Sequence, residues 1–245
     1  MGKKIAVISD IHSNIEALNS VLKDISDRQI KTQDIYCLGD LVGYGPRPNE
    51  VIDSIRNNNI QTILGNYDEA VGFFLPTCGC SIESESDRIK TQNSLNWTVQ
   101  NTTDLNKSYL RDFEEQLVLE IEGYRLLMTH GSPFSINDYV YEYDAEKQEE
   151  IAENLDEDVI LFGHTHYPYH KNVKNKLFVN PGSVGRPKDG DNRACYGIFE
   201  FADEVNVQFI RVPYDVEKVA VEIEQSELLN SFAQVLRTGR DLKEV

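Results

Sequence analysis

Histidine is scarce in this chain, with only five in 245 residues, and there is one tryptophan and two methionines. Long apolar runs are missing too. No stretch approaches the roughly 18–20 consecutive apolar residues needed to cross a bilayer, so no membrane span is expected. The amino terminus, MGKKIAVISD, passes from two lysines into a short apolar run without a long hydrophobic region or a small-residue cleavage site, so the expected location is cytoplasmic. Basic residues are also few. Lys and Arg total 24 against 41 Asp and Glu, a net charge of −17. Such a balance repels nucleic-acid backbones and anionic membranes, which clustered cations normally hold, so neither is an expected stable partner. Cysteine is limited to Cys37, Cys78, Cys80 and Cys195. One residue separates the pair in CGC, a spacing that does not readily suit a disulfide and falls short of a four-ligand zinc set. All four are expected to be reduced, with Cys78 and Cys80 as packing or turn residues.

The composition, 40% hydrophobic and 27% charged, is that of an ordinary soluble globular chain. The expectation is one domain over residues 1–245, with a helical or loop insert at about 74–106. Short apolar runs recur, each ending at a small or polar cluster: IAVISDIH, DIYCLGD, IQTILGN, RLLMTHG, DVILFGHTH and KLFVNPGS. Each reads as a buried strand that runs into a loop. Between the first three lie segments with helical spacing, including Ile15, Leu18, Leu22 and Ile25, then Val51, Ile52 and Ile55. That alternation predicts a βαβαβ start with parallel strands, whose loops emerge at the carboxyl edge where open α/β sheets place their sites. ACYGIFEF and VNVQFIRV read as further strands, and the tail from Asp215 is mostly helical in spacing.

Four of the five histidines fall at these strand ends. The loops together offer Asp10 and His12, then Asp40, then Asn66 and Asp68, then His130, then His164 and His166. Imidazole and carboxylate ligands suit manganese, iron and zinc, and so many donors oversupply one cation but match two. Two cations about 3.5–4 Å apart can stabilise the entering and leaving oxygens of an in-line displacement at phosphorus, so phosphoester hydrolysis is the predicted chemistry. Each residue also has a bland reading: Asp10 as a helix cap, His12 as a loop residue, His130 as a buried imidazole satisfied by backbone, and GHTH as an alternating strand end. Asp68 reads equally as a helix cap or as a group orienting a neighbouring ligand. His170 matches no motif and is expected as a surface or strand residue.

The motifs SDIHSN, GDLVGYG, GNYDEA, THGSP and GHTH, in that order, resemble the calcineurin-like metallophosphoesterase superfamily, particularly its small bacterial phosphodiesterase-like branch. The resemblance implies an α/β fold, a four-layer αββα sandwich of two packed mixed sheets flanked by helices. It implies that Asp10, His12 and His166 hold one metal, that Asn66, His130 and His164 hold a second, and that Asp40 bridges them. Manganese or iron is the expected pair, with zinc, nickel, magnesium and cobalt as alternatives. Asp40, Asn66, Tyr67 and His130 become the expected catalytic residues, with attack by a metal-bridged hydroxide on a small phosphodiester or nucleotide, including dinucleoside polyphosphates. Many members carry histidine where this chain has Tyr67, which points to leaving groups that need little acid assistance. Asn66, Tyr67 and Arg186 are the expected substrate contacts. Arg186 and Lys188, in NPGSVGRPKDG, offer cations for a phosphate, although the same letters make an ordinary turn. The competing readings are a non-catalytic metal-binding scaffold of this fold, a protein phosphatase, or a nuclease that the charge disfavours.

Overall fold

The computed structural model describes residues 2–241, so the ends of the expected 1–245 domain, Met1 and 242–245, lie outside the described residues. Strand β1 (Lys3–Ile8) leads into helix α1 (Ile15–Asp27), β2 (Ile35–Cys37), α2 (Pro48–Asn57) and β3 (Gln61–Thr62). Both strand pairings, β1 with β2 and β2 with β3, are parallel, which is the βαβαβ start that the apolar runs predict. Helix α3 (Asn66–Gly72) follows at once, then α4 (Glu85–Asn101) and α5 (Asp104–Leu110) within and just beyond the expected insert.

The second half supplies β4 (Gln116–Ile121), β5 (Tyr124–Thr129), α6 (Ala145–Glu153), β6 (Val159–Leu161), β7 (Tyr169–Val173) and β8 (Lys176–Asn180). The hairpin β9 (Ala194–Phe201) and β10 (Val205–Val212) and the helices α7 (Val216–Glu224) and α8 (Asn230–Thr238) complete it. The order β10-β9-β1-β2-β3 forms one mixed sheet, and β4-β5-β6-β8-β7 forms the other. His170 lies in β7, an edge strand of the second sheet, as a strand residue outside the site.

Strand periodicity builds the layers. Successive side chains point to opposite faces, so Ile5 and Val7 of β1 meet Leu126, Met128, Val159 and Leu161 of the second sheet in one buried cluster. Ala6 and Ile8 point the other way, into a cluster with Leu18, Val21 and Ile25 of α1 and Val51, Ile52 and Ile55 of α2. Ile160 and Phe178 on the far face of the second sheet pack with Ile151 and Ala152 of α6. The result is the four-layer αββα sandwich. No helix among the described residues is long and apolar enough to cross a membrane.

Cys78 and Cys80 correct the expectation of four reduced cysteines: they form a disulfide, while Cys37 and Cys195 are free and buried. Gly79 between them adopts φ +69°, which turns the chain back and brings the two Cα atoms to 5.5 Å, within ordinary disulfide range.

Candidate metal centre

The strand ends β1, β2, β5 and β6 and the start of α3 converge on one edge of the two sheets. Asp10 and His12 follow β1, Asp40 follows β2, Asn66 opens α3, His130 follows β5, and His164 and His166 follow β6. Their loops are laced together by backbone hydrogen bonds: Asp10 N–H donates to Gly39 O at 3.0 Å, His12 N–H to Asp40 O at 3.0 Å, and Gly163 N–H to His130 O at 2.9 Å. Close approach needs small residues. A Cβ on Gly65 would lie 2.1 Å from Asp40 N, and one on Gly163 would lie 2.2 Å from Ser9 Oγ.

Backbone strain concentrates here. Asp10, His12, Asp40, His164 and His166 all have positive φ, between 48° and 65°. Each such non-glycine residue costs roughly 1–2 kcal/mol, a penalty that folds store at functional sites.

The donors fall into two groups, Asp10, His12 and His166 in one and Asp40, His130 and His164 in the other, with ligand atoms within 4.8 Å of one another in each. Asp40 Oδ2 lies 3.7 Å from His12 Nε2 and 3.5 Å from His130 Nε2, between the groups. Asn66 Oδ1 lies 3.0 Å from His130 Nε2, so its carbonyl joins the second group. All seven residues are buried.

Three imidazoles are oriented by their inner nitrogens. Nδ1 of His12 meets Val42 O at 3.0 Å, that of His130 meets Leu38 O at 2.7 Å, and that of His166 meets Arg186 O at 2.6 Å. A carbonyl fixes Nδ1 as the donor, which turns Nε2 towards the site, with its lone pair free wherever the ring is neutral. His12 Nε2 and His166 Nε2 then face each other at 3.2 Å. Asp10 Oδ1 and His164 Nε2 are buried without a hydrogen-bond partner. Buried donors and acceptors are normally satisfied. Lone pairs converging without protons between them fit cations, and the oxygen and nitrogen donor set fits transition or divalent metals.

The electrostatics agree for three of the four imidazoles. Burial, reinforced by neighbouring His166, outweighs the pull of Asp40 and lowers His12 to about 3; burial and other cationic groups also lower His164 and His166 well below 6.5. His130 moves oppositely: against burial, the Asp40 carboxylate raises it to about 9.

A supporting layer surrounds the donors. Asp68 accepts from Leu41 N–H at 2.9 Å and from Val42 and Gly65 N–H at 3.3 Å, tying the Asp40 loop to α3; burial and the neighbouring Asp40 raise its carboxyl above the ordinary range, against the pull of those N–H groups. Asn66 Nδ2 donates to Cys78 O at 2.8 Å and to Cys80 Sγ at 3.2 Å, which turns its carbonyl to the site. The role of the CGC turn in orienting Asn66 leaves no signal in sequence, because the contact forms only when the insert folds back. Tyr67 donates its backbone N–H to Asp40 Oδ1 at 2.8 Å, while its phenol, 1% exposed, packs in the core cluster beside Tyr44. Arg186 sits against the first group, its guanidinium 4.3 Å from the Tyr44 ring centroid and its Nη2 2.5 Å from Asp241 Oδ1. Lys188 Nζ reaches the same carboxylate at 3.4 Å.

Two adjacent buried donor groups, at the carboxyl edge of an αββα sandwich, define a metal-dependent phosphoester hydrolase. Residues 4–204 match the calcineurin-like phosphoesterase superfamily domain, and the chain belongs to that family. It is 34% identical to an uncharacterised protein of Methanocaldococcus jannaschii, over 96% of this chain and 98% of that one. It is 27% identical to phosphodiesterase YfcE of Escherichia coli, over 80% and 87% of the two chains. A solved metallophosphoesterase of Sphaerobacter thermophilus superposes with a TM-score of 0.78 at 27% identity, covering 98% of this chain and all of that one (100%).

Proposed function

We propose that this chain is a dinuclear metal-dependent phosphoesterase acting on a small phosphodiester or nucleotide, including dinucleoside polyphosphates. The observation that carries the reading is Asp40 Oδ2 lying between two histidine-rich groups, 3.7 Å from one and 3.5 Å from the other. When bound, a metal pair supplies an activated water at neutral pH and neutralises charge around phosphorus. Manganese or iron fits the mixed imidazole, carboxylate and amide donors. The Escherichia coli relative YfcE is a phosphodiesterase, which supports the diester.

The chain's own residues supply placement. Asp40 keeps one oxygen on the Tyr67 N–H and turns the other between the two groups. Asn66, held by the CGC turn, presents its carbonyl beside His130. Burial drives the Tyr67 phenol well above its ordinary pKa of 10 and makes it a poor proton donor, so its contribution runs through the backbone. That favours leaving groups that depart as weak bases, such as aryl oxides and phosphoanhydride oxygens. Arg186, with Nε buried and unpaired, stands ready to meet a phosphate oxygen beside the first group.

The test is hydrolysis of bis(p-nitrophenyl) phosphate by manganese-supplemented protein. Turnover lost on chelation and in Asp40→Ala, by about 10²–10³-fold or more for removal of a charge-stabilising group, is the expected result. Undiminished turnover in Asp40→Ala would overturn the reading.

A further inference from the structure

Beyond the metal centre, the connection between β5 and α6 carries three tyrosines at alternate positions. The Tyr139 ring lies 4.1 Å from the His164 ring, centroid to centroid. Tyr141 follows at 5.8 Å from Tyr139 and Tyr143 at 5.1 Å from Tyr141, with neighbouring planes only 8° and 7° apart. Tyr167, one residue from His166, stands 6.5 Å from Tyr141 at 59° and closes a corner. The row thus starts on a candidate metal ligand and ends in solvent, where Tyr143 is 81% and Tyr167 42% exposed.

This aromatic row is held rigidly. Val140, between the first two rings, is buried with Ile151 and Phe162. Four successive carbonyls are tied down by side chains: Lys147 Nζ donates to Tyr139 O at 3.0 Å, Tyr169 OH to Val140 O at 3.0 Å, Gln148 Nε2 to Tyr141 O at 2.8 Å, and Lys171 Nζ to Glu142 O at 3.1 Å. Tyr139 Oη also accepts from Ser81 N–H at 3.4 Å. The exposed face of Tyr143 buries little apolar surface, whereas fixing the rings in advance lowers the entropic cost of binding a flat ligand.

We propose that Tyr141, Tyr143 and Tyr167 form a subsite for the nucleobase of a nucleotide whose phosphate lies at the histidine and carboxylate centre. The inference rests on the phosphoesterase reading above and adds the base to it. A nucleobase fits because the row leads from His164 to the open rings of Tyr143 and Tyr167, and stacking on a π-face tolerates any base. The cations Arg186 and Lys188 lie at the centre beside Asp241, so the phosphate and base ends of such a ligand have separate partners. A net charge of −17 disfavours an anionic membrane at the same rings.

The experiment is calorimetric binding of adenosine 5′-monophosphate and of ribose 5-phosphate to the manganese-loaded full chain. Stacking predicts about tenfold tighter binding of the nucleotide, lost in Tyr143→Ala combined with Tyr141→Leu and kept in Tyr143→Phe, with ribose 5-phosphate unchanged throughout. Equal affinities, including no binding of either, or a preference surviving the double variant, would overturn the subsite. Hydrolysis of bis(p-nitrophenyl) phosphate is measured on the same samples to separate the two ideas. Turnover without base preference removes the subsite and leaves the enzyme; base preference without turnover removes the phosphodiester reading and leaves the subsite.

Discussion

Asp68 is the residue on which the supporting layer turns. It touches no donor group directly, yet its carboxylate takes three backbone N–H groups, from Leu41, Val42 and Gly65, and so sets the loop that carries Asp40. Of the two roles read from the sequence, cap or orienting group, the geometry shows both: it caps α3 through Gly65 N–H and reaches across to the β2 loop. Asp68→Ala leaves those donors buried and unpaired. Loss of such a supporting group typically costs 10–100-fold in metal affinity. The expected outcome is activity that falls about 10–100-fold at limiting manganese and recovers largely in excess, read from a metal titration of initial rates. Loss that excess metal does not repair would place Asp68 in the chemistry itself.

At the scale of elements, the site depends on a helix far from it in sequence. Helix α8 stops at Gly239, which takes φ +64°, and two residues later Asp241 pairs with Arg186 and Lys188. A Cβ there would be strained and would lie 2.8 Å from Asn192 N. Gly239→Ala should cost roughly 1–2 kcal/mol from the left-handed conformation alone. A chain of this size loses about 2–4 °C in Tm per kcal/mol, which thermal unfolding would resolve. An unchanged Tm would show that the end of α8 contributes little. The elements were more legible than this pairing. Apolar runs ending in small polar clusters marked β1, β2, β5, β6 and β8, because largely buried strands leave near-continuous hydrophobic letters; IQTILGN marked β3, where the paired residues are only Gln61 and Thr62, neither of them buried. Edge strand β4, with alternating half-exposed side chains, gave a weaker pattern and was not foreseen. The site donors were legible as letters at strand ends. Their left-handed backbone, the Cys78–Cys80 disulfide and the tyrosine row were not, since each arises from long-range packing that no local period encodes.

For the whole molecule, the acidity divides into two parts. Among the described residues the buried carboxylates are Asp10, Asp40, Asp68 and Glu157, and the first three belong to the centre or its supporting layer. The fold therefore gathers carboxylates and imidazole lone pairs in its interior, an arrangement that suits a cation, and its stability should depend on metal and on pH together. In the metal-free chain His12, His164 and His166 resist protonation when folded but accept protons near pH 6.5 when unfolded. The unfolded state then binds more protons, so stability is fully present above 6.5 and is lost as pH falls through the window towards His12's folded value of about 3. Each fully shifted histidine contributes a slope of about 1.4 kcal/mol per pH unit. His130, raised to about 9, is protonated in both states across that window and adds no slope there; its own contribution is lost between 6.5 and 9. Metal binds the deprotonated imidazoles of the folded state and adds stability by mass action. Urea unfolding of chelated protein should therefore show stability declining steeply from pH 6.5 to 5, and manganese should raise it most at the upper end, where protons compete least. A flat profile without metal would mean that these histidines do not stay buried and neutral in the folded chain, and the converging lone pairs would lose their meaning as a cation site.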